Sequence, residues 1–120
     1  MAGVFINYSN LHTNKWPEDR LNGAREMVDG GEIVNLAFPN VSPYTTKDEI
    51  YELSEKCVEK IVSYSPDVVF CQGDFTLCFS IVNGLKEKGI KVVACCNERV
   101  IDDKANGGIP TFKFVQFREF

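Results

Sequence analysis

Asn7, Ser9 and Asn10, then Gln72, Gly73, Asp74 and Thr76, then Asn97, Glu98 and Arg99 form three short polar clusters, each following an apolar run. They supply neutral hydrogen-bond donors and acceptors and, at Arg99, a fixed cation, which is chemistry suited to holding a polar or anionic small molecule. The second cluster is the most explicit. Val68, Val69, Phe70 and Cys71 before it show no polar alternation, as expected of a parallel strand buried on both faces. Gly73 lets the chain turn sharply, Asp74 can accept from the free amides of a following helix as its N-cap, and Phe75 and Thr76 fall in the first turn. Amides exposed at such a helix start can hold an anion. Each of these residues also has a plain reading as a cap or a solvated loop group.

Several other chemistries lack their residues. No Gly-x-Gly-x-x-Gly follows the first apolar run, no Gly-x-x-x-x-Gly-Lys-Ser/Thr occurs, and there is no Gly-x-Ser-x-Gly elbow. His12, the single histidine, sits among Thr13, Asn14 and Asn10 without a histidine partner. It can contact a phosphate or simply face water. Asp102 and Asp103 are adjacent, a pattern that fits a turn better than a metal site. The five cysteines, Cys57, Cys71, Cys78, Cys95 and Cys96, have no Cys-x-x-Cys spacing, so buried reduced thiols are expected rather than zinc ligands or a disulfide framework. No metal and no cofactor is expected. Trp16 before Pro17 reads as a packing anchor, with stacking on a base as the functional alternative.

The elements that must position the clusters read clearly. Gly3 to Tyr8 is a short strand ending in the polar loop Ser9 to Lys15. Pro17, Glu18 and Asp19 open a helix whose Leu21, Ala24 and Val28 share a face, and Gly30 and Gly31 stop it. Glu32 to Phe38 is the second strand. Thr46 and Glu49 form a capping box for a helix with Ile50, Leu53, Cys57, Val58, Ile61 and Val62 turned inward. The helix after Asp74 is apolar almost all round, so burial by the sheet or by a second subunit is expected. Lys86, Lys88 and Gly89 end it. Ile90 to Cys96 is the fourth strand, and a turn around Asn106, Gly107 and Gly108 leads to an aromatic last strand, Thr111 to Phe120, running antiparallel.

The order β-α-β-α-β-α-β-β predicts an α/β fold: a Rossmann-like three-layer sandwich on a mostly parallel five-stranded sheet of order 2-1-3-4-5, with an antiparallel C-terminal edge strand. Its switch point lies between strands 1 and 3. The loops expected to meet a ligand are therefore Ser9 to Lys15, Gln72 to Thr76 and Asn97 to Arg99. At 120 residues, without repeat or linker, residues 1–120 read as a single domain. A net charge of −4 speaks against coating long nucleic acid. The absence of a long apolar run or a basic, apolar leader predicts no membrane partner and a cytoplasmic location.

In this layout the run Asn7, Tyr8, Ser9, Asn10, the turn Gln72 to Leu77 and the strand end Asn97, Glu98, Arg99 resemble small stand-alone proteins of the CRISPR-associated Rossmann fold (CARF) type, over roughly residues 3 to 120. The resemblance implies a homodimer whose paired first-strand loops and helix amino ends surround a pocket for a cyclic oligoadenylate second messenger, in CRISPR antiviral defence. It also implies ring-nuclease activity, in which a ribose 2′-hydroxyl is placed in line with the adjacent phosphate without metal. Such a reaction needs positioning and charge stabilisation, not a catalytic dyad. Carried over, Ser9, Asn10 and Arg99 take the catalytic places at ribose and phosphate. Asn7, His12, Gln72, Gly73, Asp74, Phe75, Thr76 and Asn97 join them in binding. Asp74 and Glu98 depart from the pattern, since each puts a carboxylate beside an anion site and must turn away or pair with Arg99 or Lys15. Two other functions fit the same residues: a sensor that binds a nucleotide or other small molecule without cleaving it, and a protein-interaction module using the apolar third helix and Phe112, Phe114, Phe117 and Phe120.

Overall fold

The computed structural model describes residues 2–101 and 110–120. In chain order its elements are β1 (Val4–Ser9), α1 (Glu18–Met27), β2 (Glu32–Ala37), α2 (Lys47–Val62), β3 (Val68–Cys71), α3 (Phe75–Glu87), β4 (Lys91–Ile101) and β5 (Pro110–Glu119). The strands make one sheet in the order β2-β1-β3-β4-β5. β1 lies parallel to β2 and β3, β3 lies parallel to β4, and β5 runs antiparallel to β4. This is the Rossmann-like three-layer sandwich that the alternation of apolar runs and capped helices predicts.

Two apolar layers follow from the alternation of side chains along each strand. Ile6, Tyr8, Val69, Cys71 and Val92 point to one face, where Cys57, Val58 and Ile61 of α2 and Leu77, Ile81 and Leu85 of α3 cover them. Phe5, Val68, Phe70 and Val93 contribute to the other, against Ala24 of α1, Val28 and Trp16. β3, at the centre, is buried at all four positions.

The helix ends have local causes. Thr46 Oγ1 accepts from the Glu49 amide at 3.2 Å while Glu49 Oε1 accepts from the Thr46 amide at 3.1 Å, completing the capping box. α1 starts one residue later than the sequence suggests, with Pro17 in extended conformation as its N-cap. Gly30 then closes the helix with φ of 76°, and its amide donates to the Arg25 carbonyl at 2.8 Å.

Two elements differ from expectation. β4 does not stop at Cys96: after a bulge between Cys96 and Asn97 it continues to Ile101, paired with the first half of β5. Asn97 to Arg99 are therefore strand residues in a two-stranded ribbon rather than a loop. α3 is covered by its own chain on one face only, for Phe75 is 91% and Phe79 69% exposed, so the sheet alone does not supply the burial expected of it. The turn expected at Asn106, Gly107 and Gly108, and the pair Asp102 and Asp103, lie outside the described residues.

Candidate functional site

The carboxyl ends of β1 and β3 are adjacent, with Tyr8 paired to Cys71 and the Gln72 amide donating to the Tyr8 carbonyl at 3.1 Å. The chain leaves these two strands toward opposite faces of the sheet, α1 on one and α3 on the other. A crevice at this switch point is a general consequence of the topology. The segments placed to wall it are the loop at residues 10–16 and the turn at residues 72–76, which follow these two strand ends.

The loop is held from below by a buried amide network. Asn7, only 1% exposed, donates through Nδ2 to the Leu11 carbonyl and to Asn35 Oδ1, both at 2.8 Å, and its Oδ1 accepts from Ser9 Oγ at 2.7 Å. Ser9 Oγ in turn accepts from the Leu11 amide at 3.3 Å. Asn35, directly across from Asn7 on β2, accepts from the Thr13 amide at 3.0 Å and donates to Thr13 Oγ1 at 2.9 Å. Both amide hydrogens of Asn7 are thus engaged. Asn7 and Ser9 fix the shape of the loop, while Asn10 and Leu11 are displayed on its exposed surface. His12 is also exposed, and its Nδ1 accepts from the Asn14 amide at 3.0 Å, capping the short 3-10 turn Thr13–Lys15.

In the opposite wall Asp74 is the N-cap of α3. One carboxylate oxygen accepts from the Leu77 amide at 3.0 Å and from Thr76 Oγ1 at 2.7 Å. The Leu77 amide bond, followed by the Thr76 hydroxyl, holds the Asp74 carboxyl below the usual carboxylate range. The cap's contribution is full above the unfolded-state pKa and is lost as pH falls through the lower folded one. Asp74→Ala is accordingly expected to lower Tm at neutral pH, with the gap to the parent closing in acid, and Asp74→Asn should retain most of the cap; thermal melts across a pH series measure both. Gly73 is required by packing: a Cβ there would overlap the ring of Phe38, with 2.6 Å to Cγ. Gln72, Phe75 and Thr76 are exposed on this wall.

Arg20 is a functional candidate that the sequence clusters do not mark. It lies in the first turn of α1, on the α1 face of the sheet, with its guanidinium carbon 4.0 Å from the centre of the Trp16 ring and 4.9 Å from that of Phe70. Burial lowers its pKa, and its Nε is buried without a hydrogen-bond partner among the described residues. A guanidinium stacked on two rings is fixed in direction. The Trp16-to-Arg20 spacing, i to i+4 at a helix start, is the signal that points to it. Trp16 also donates from Nε1 to the Leu11 carbonyl at 3.2 Å, so one ring supports both the loop and the cation.

Asn97 and Arg99 stand apart from this assembly. Phe70 pairs with Asn7 on one side and with Val93 on the other, which puts Ser9, Gln72 and Cys95 at one level. Arg99 is four residues farther along β4, roughly 13 Å beyond that level. Its cross-strand neighbour is Phe112, and that of Glu98 is Lys113, so Glu98 faces a cation of its own ribbon.

Beside the turn a groove of about 1570 Å³ runs between α2 and α3, with Gln72, Gly73 and Thr76 at one end and the exposed rings of Tyr51, Phe75 and Phe79 along it. Among the described residues no group of three or more His, Cys, Asp and Glu side chains is placed to hold a metal ion. No helix among them is long and apolar enough to cross a membrane. Residues 4–118 match the model described as the Uncharacterized protein MJ1673 family. No curated protein matches the chain.

Proposed function

The chain belongs to the Uncharacterized protein MJ1673 family, and from its switch-point crevice we propose that it binds a cyclic oligoadenylate across a homodimer and opens the ring without metal, in CRISPR antiviral signalling. The α/β topology is consistent with a CARF-like fold and compatible with nucleotide binding in general. The observation that carries the reading is that an exposed polar loop and a capped helix start follow the adjacent ends of β1 and β3, with the Arg20 guanidinium stacked over Trp16 and Phe70 on the α1 side. A phosphate can lie against Arg20, with Asn10, Gln72 and Thr76 offering neutral partners for ribose and base. Ser9 and Asn7 act by shaping the loop. The exposed Phe75 and Phe79 rings flank the same turn, and covering them with a second copy would draw two such turns together around one ring.

A second reading, binding without cleavage, has its own support. The hydroxyls of Ser9 and Thr76 both donate inward, to Asn7 and to Asp74, and the Asp74 carboxylate stands at the crevice wall. Neither hydroxyl is then placed to give a proton to a leaving oxygen, and a negative charge beside the scissile phosphate opposes charge build-up there.

The test is incubation of the purified protein with cyclic tri-, tetra- and hexa-adenylate in the presence of a chelator, following Tm and linear product together. Ring-specific stabilisation with product supports the nuclease, stabilisation without product supports the sensor, and no response to any ring overturns both. Arg20→Ala is expected to weaken ring binding by roughly tenfold to a hundredfold, as loss of a charge-assisted hydrogen bond does. Arg99→Ala is expected to leave binding near the parent value. An equal loss at Arg99 would instead mean that the β4–β5 ribbon of a second copy reaches the crevice.

A further inference from the structure

A pair of cysteines spans the turn on its α3 side. Cys71 is the last residue of β3, and Cys78 lies on α3 one turn past the cap, with its Sγ 3.4 Å from Cys71 Sγ and 3.6 Å from the Cys71 carbonyl oxygen. The sulfur–sulfur separation exceeds a disulfide bond by only about 1.4 Å. Both residues line the groove between α2 and α3; Cys71 is buried and Cys78 half-buried, so a small oxidant entering the groove meets Cys78 first. Among the described residues none of Cys57, Cys95 and Cys96 is hydrogen-bonded to a second cysteine sulfur. Cys57 is buried in α2, and Cys95, half-buried on β4, has Asn97 Oδ1 as its polar neighbour at 3.6 Å.

We infer that Cys71 and Cys78 form a reversible dithiol–disulfide couple, oxidised by hydrogen peroxide or a related small peroxide, that fastens the end of β3 to α3 across the Gln72–Asp74 turn. The Cys78 thiolate attacks a peroxide oxygen, the O–O bond breaks, and Cys78 becomes a sulfenic acid as hydroxide leaves and takes up a proton. Cys71 Sγ then attacks Cys78 Sγ; the S–O bond breaks, and the departing hydroxide takes the Cys71 proton as water. Two thiols have lost two electrons and two protons, and one peroxide has become two waters. Access assigns the order, since Cys78 is the more exposed of the two sulfurs, and the bond between them agrees. When Cys78 ionises, the Cys71 thiol donates to it, and that hydrogen bond holds Cys78 below the ordinary thiol value while pushing Cys71 far above it. Cys78 is thus the attacking sulfur and Cys71 the resolving one.

The disulfide closes a ring of chain that contains the whole turn, including the cap Asp74 and Thr76, so oxidation should rigidify one wall of the crevice. The experiment is stoichiometric peroxide treatment of the full chain, followed by mass measurement, chymotryptic mapping and amide exchange. Cleavage after Phe75 separates the two cysteines, so a bridge between them appears as two linked peptides. The expected result is loss of two hydrogens, a Cys71–Cys78 bridge that dithiothreitol reverses, and exchange at residues 72–77 slowed by about tenfold. In Cys71→Ala the same treatment should leave a sulfenic acid on Cys78 that dimedone captures. Retention of all five thiols, or oxidation confined to Cys95 and Cys96, overturns the inference. So does a bridge that leaves exchange of the turn unchanged.

Discussion

Asn7→Asp should destabilise the protein by about 3–5 kcal/mol near neutral pH, although it exchanges one amide for an isosteric carboxylate. Asn7 is 1% exposed, and its two N–H donors serve the Leu11 carbonyl and Asn35 Oδ1. An ionised carboxylate would place a charge against two acceptors, the Leu11 carbonyl and Asn35 Oδ1, that cannot donate to it. Protonation gives back one donor, so the folded variant would hold its proton above the unfolded carboxylate pKa of about 3.9. The native state then binds more protons than the unfolded one over that interval, and stability of the variant falls as pH rises through it. Chemical denaturation at several pH values should show the deficit relative to the parent smallest near pH 4 and growing toward neutrality. A deficit independent of pH would mean that the introduced carboxyl is solvated, and that the buried network does not hold the loop as described.

Trp16→Ala is expected to cost a comparable amount, about 3–5 kcal/mol, because a large buried ring is removed from a packed aromatic group. Trp16 is 5% exposed and meets Phe5, Phe70 and Phe117 at centroid separations of 6.4, 5.7 and 6.1 Å. Its removal also takes one of the donors from the Leu11 carbonyl, which Asn7 still serves, and one of the two rings under Arg20. Trp16→Phe separates these effects: it keeps an aromatic surface while losing the Nε1 donor and part of the ring volume, so it should recover a large part of the stability. If ligand binding follows the stacked cation, Trp16→Phe should bind far better than Trp16→Ala when both are compared at a temperature where both are folded. Urea titration together with binding at low temperature makes that comparison.

The fold was readable from sequence where its causes are local. The unbroken apolar run at Val68 to Cys71 marks the central strand, Thr46 with Glu49 and Asp74 after Gly73 mark helix starts, and right-handed crossovers then leave little choice of strand order. Less readable were features that depend on what lies across a gap. Asn35 reads as an ordinary strand residue until β1 and β2 are set in register and it meets Asn7. Arg20 reads as part of a solvated helix face, because helical spacing does not reveal that Phe70 of a different element completes its stack. Arg99 appeared to end a strand because the sequence turns polar at Asn97, yet pairing with β5 carries β4 on to Ile101. Glu98, Arg99, Val100 and Ile101 show no polar/apolar alternation that would carry a strand across that polar break. The bare rings of Phe75 and Phe79 show the converse limit: apolar composition foretells burial without naming the surface that provides it.

Trp16 is the only tryptophan in the chain, and this gives the protein an internal optical reporter at a known address. Its indole lies under the loop at residues 10–16 with the Arg20 charge 4.0 Å from the ring centre. Excited-state indole responds strongly to a nearby charge and to the hydrogen bond at its nitrogen. Emission from the native protein therefore describes one corner of the molecule rather than an average over many fluorophores. Whatever draws the guanidinium aside or lifts the Leu11 carbonyl will change colour or brightness without a label. A spectrum that stays fixed while a molecule binds elsewhere will report, just as directly, that the corner was not involved.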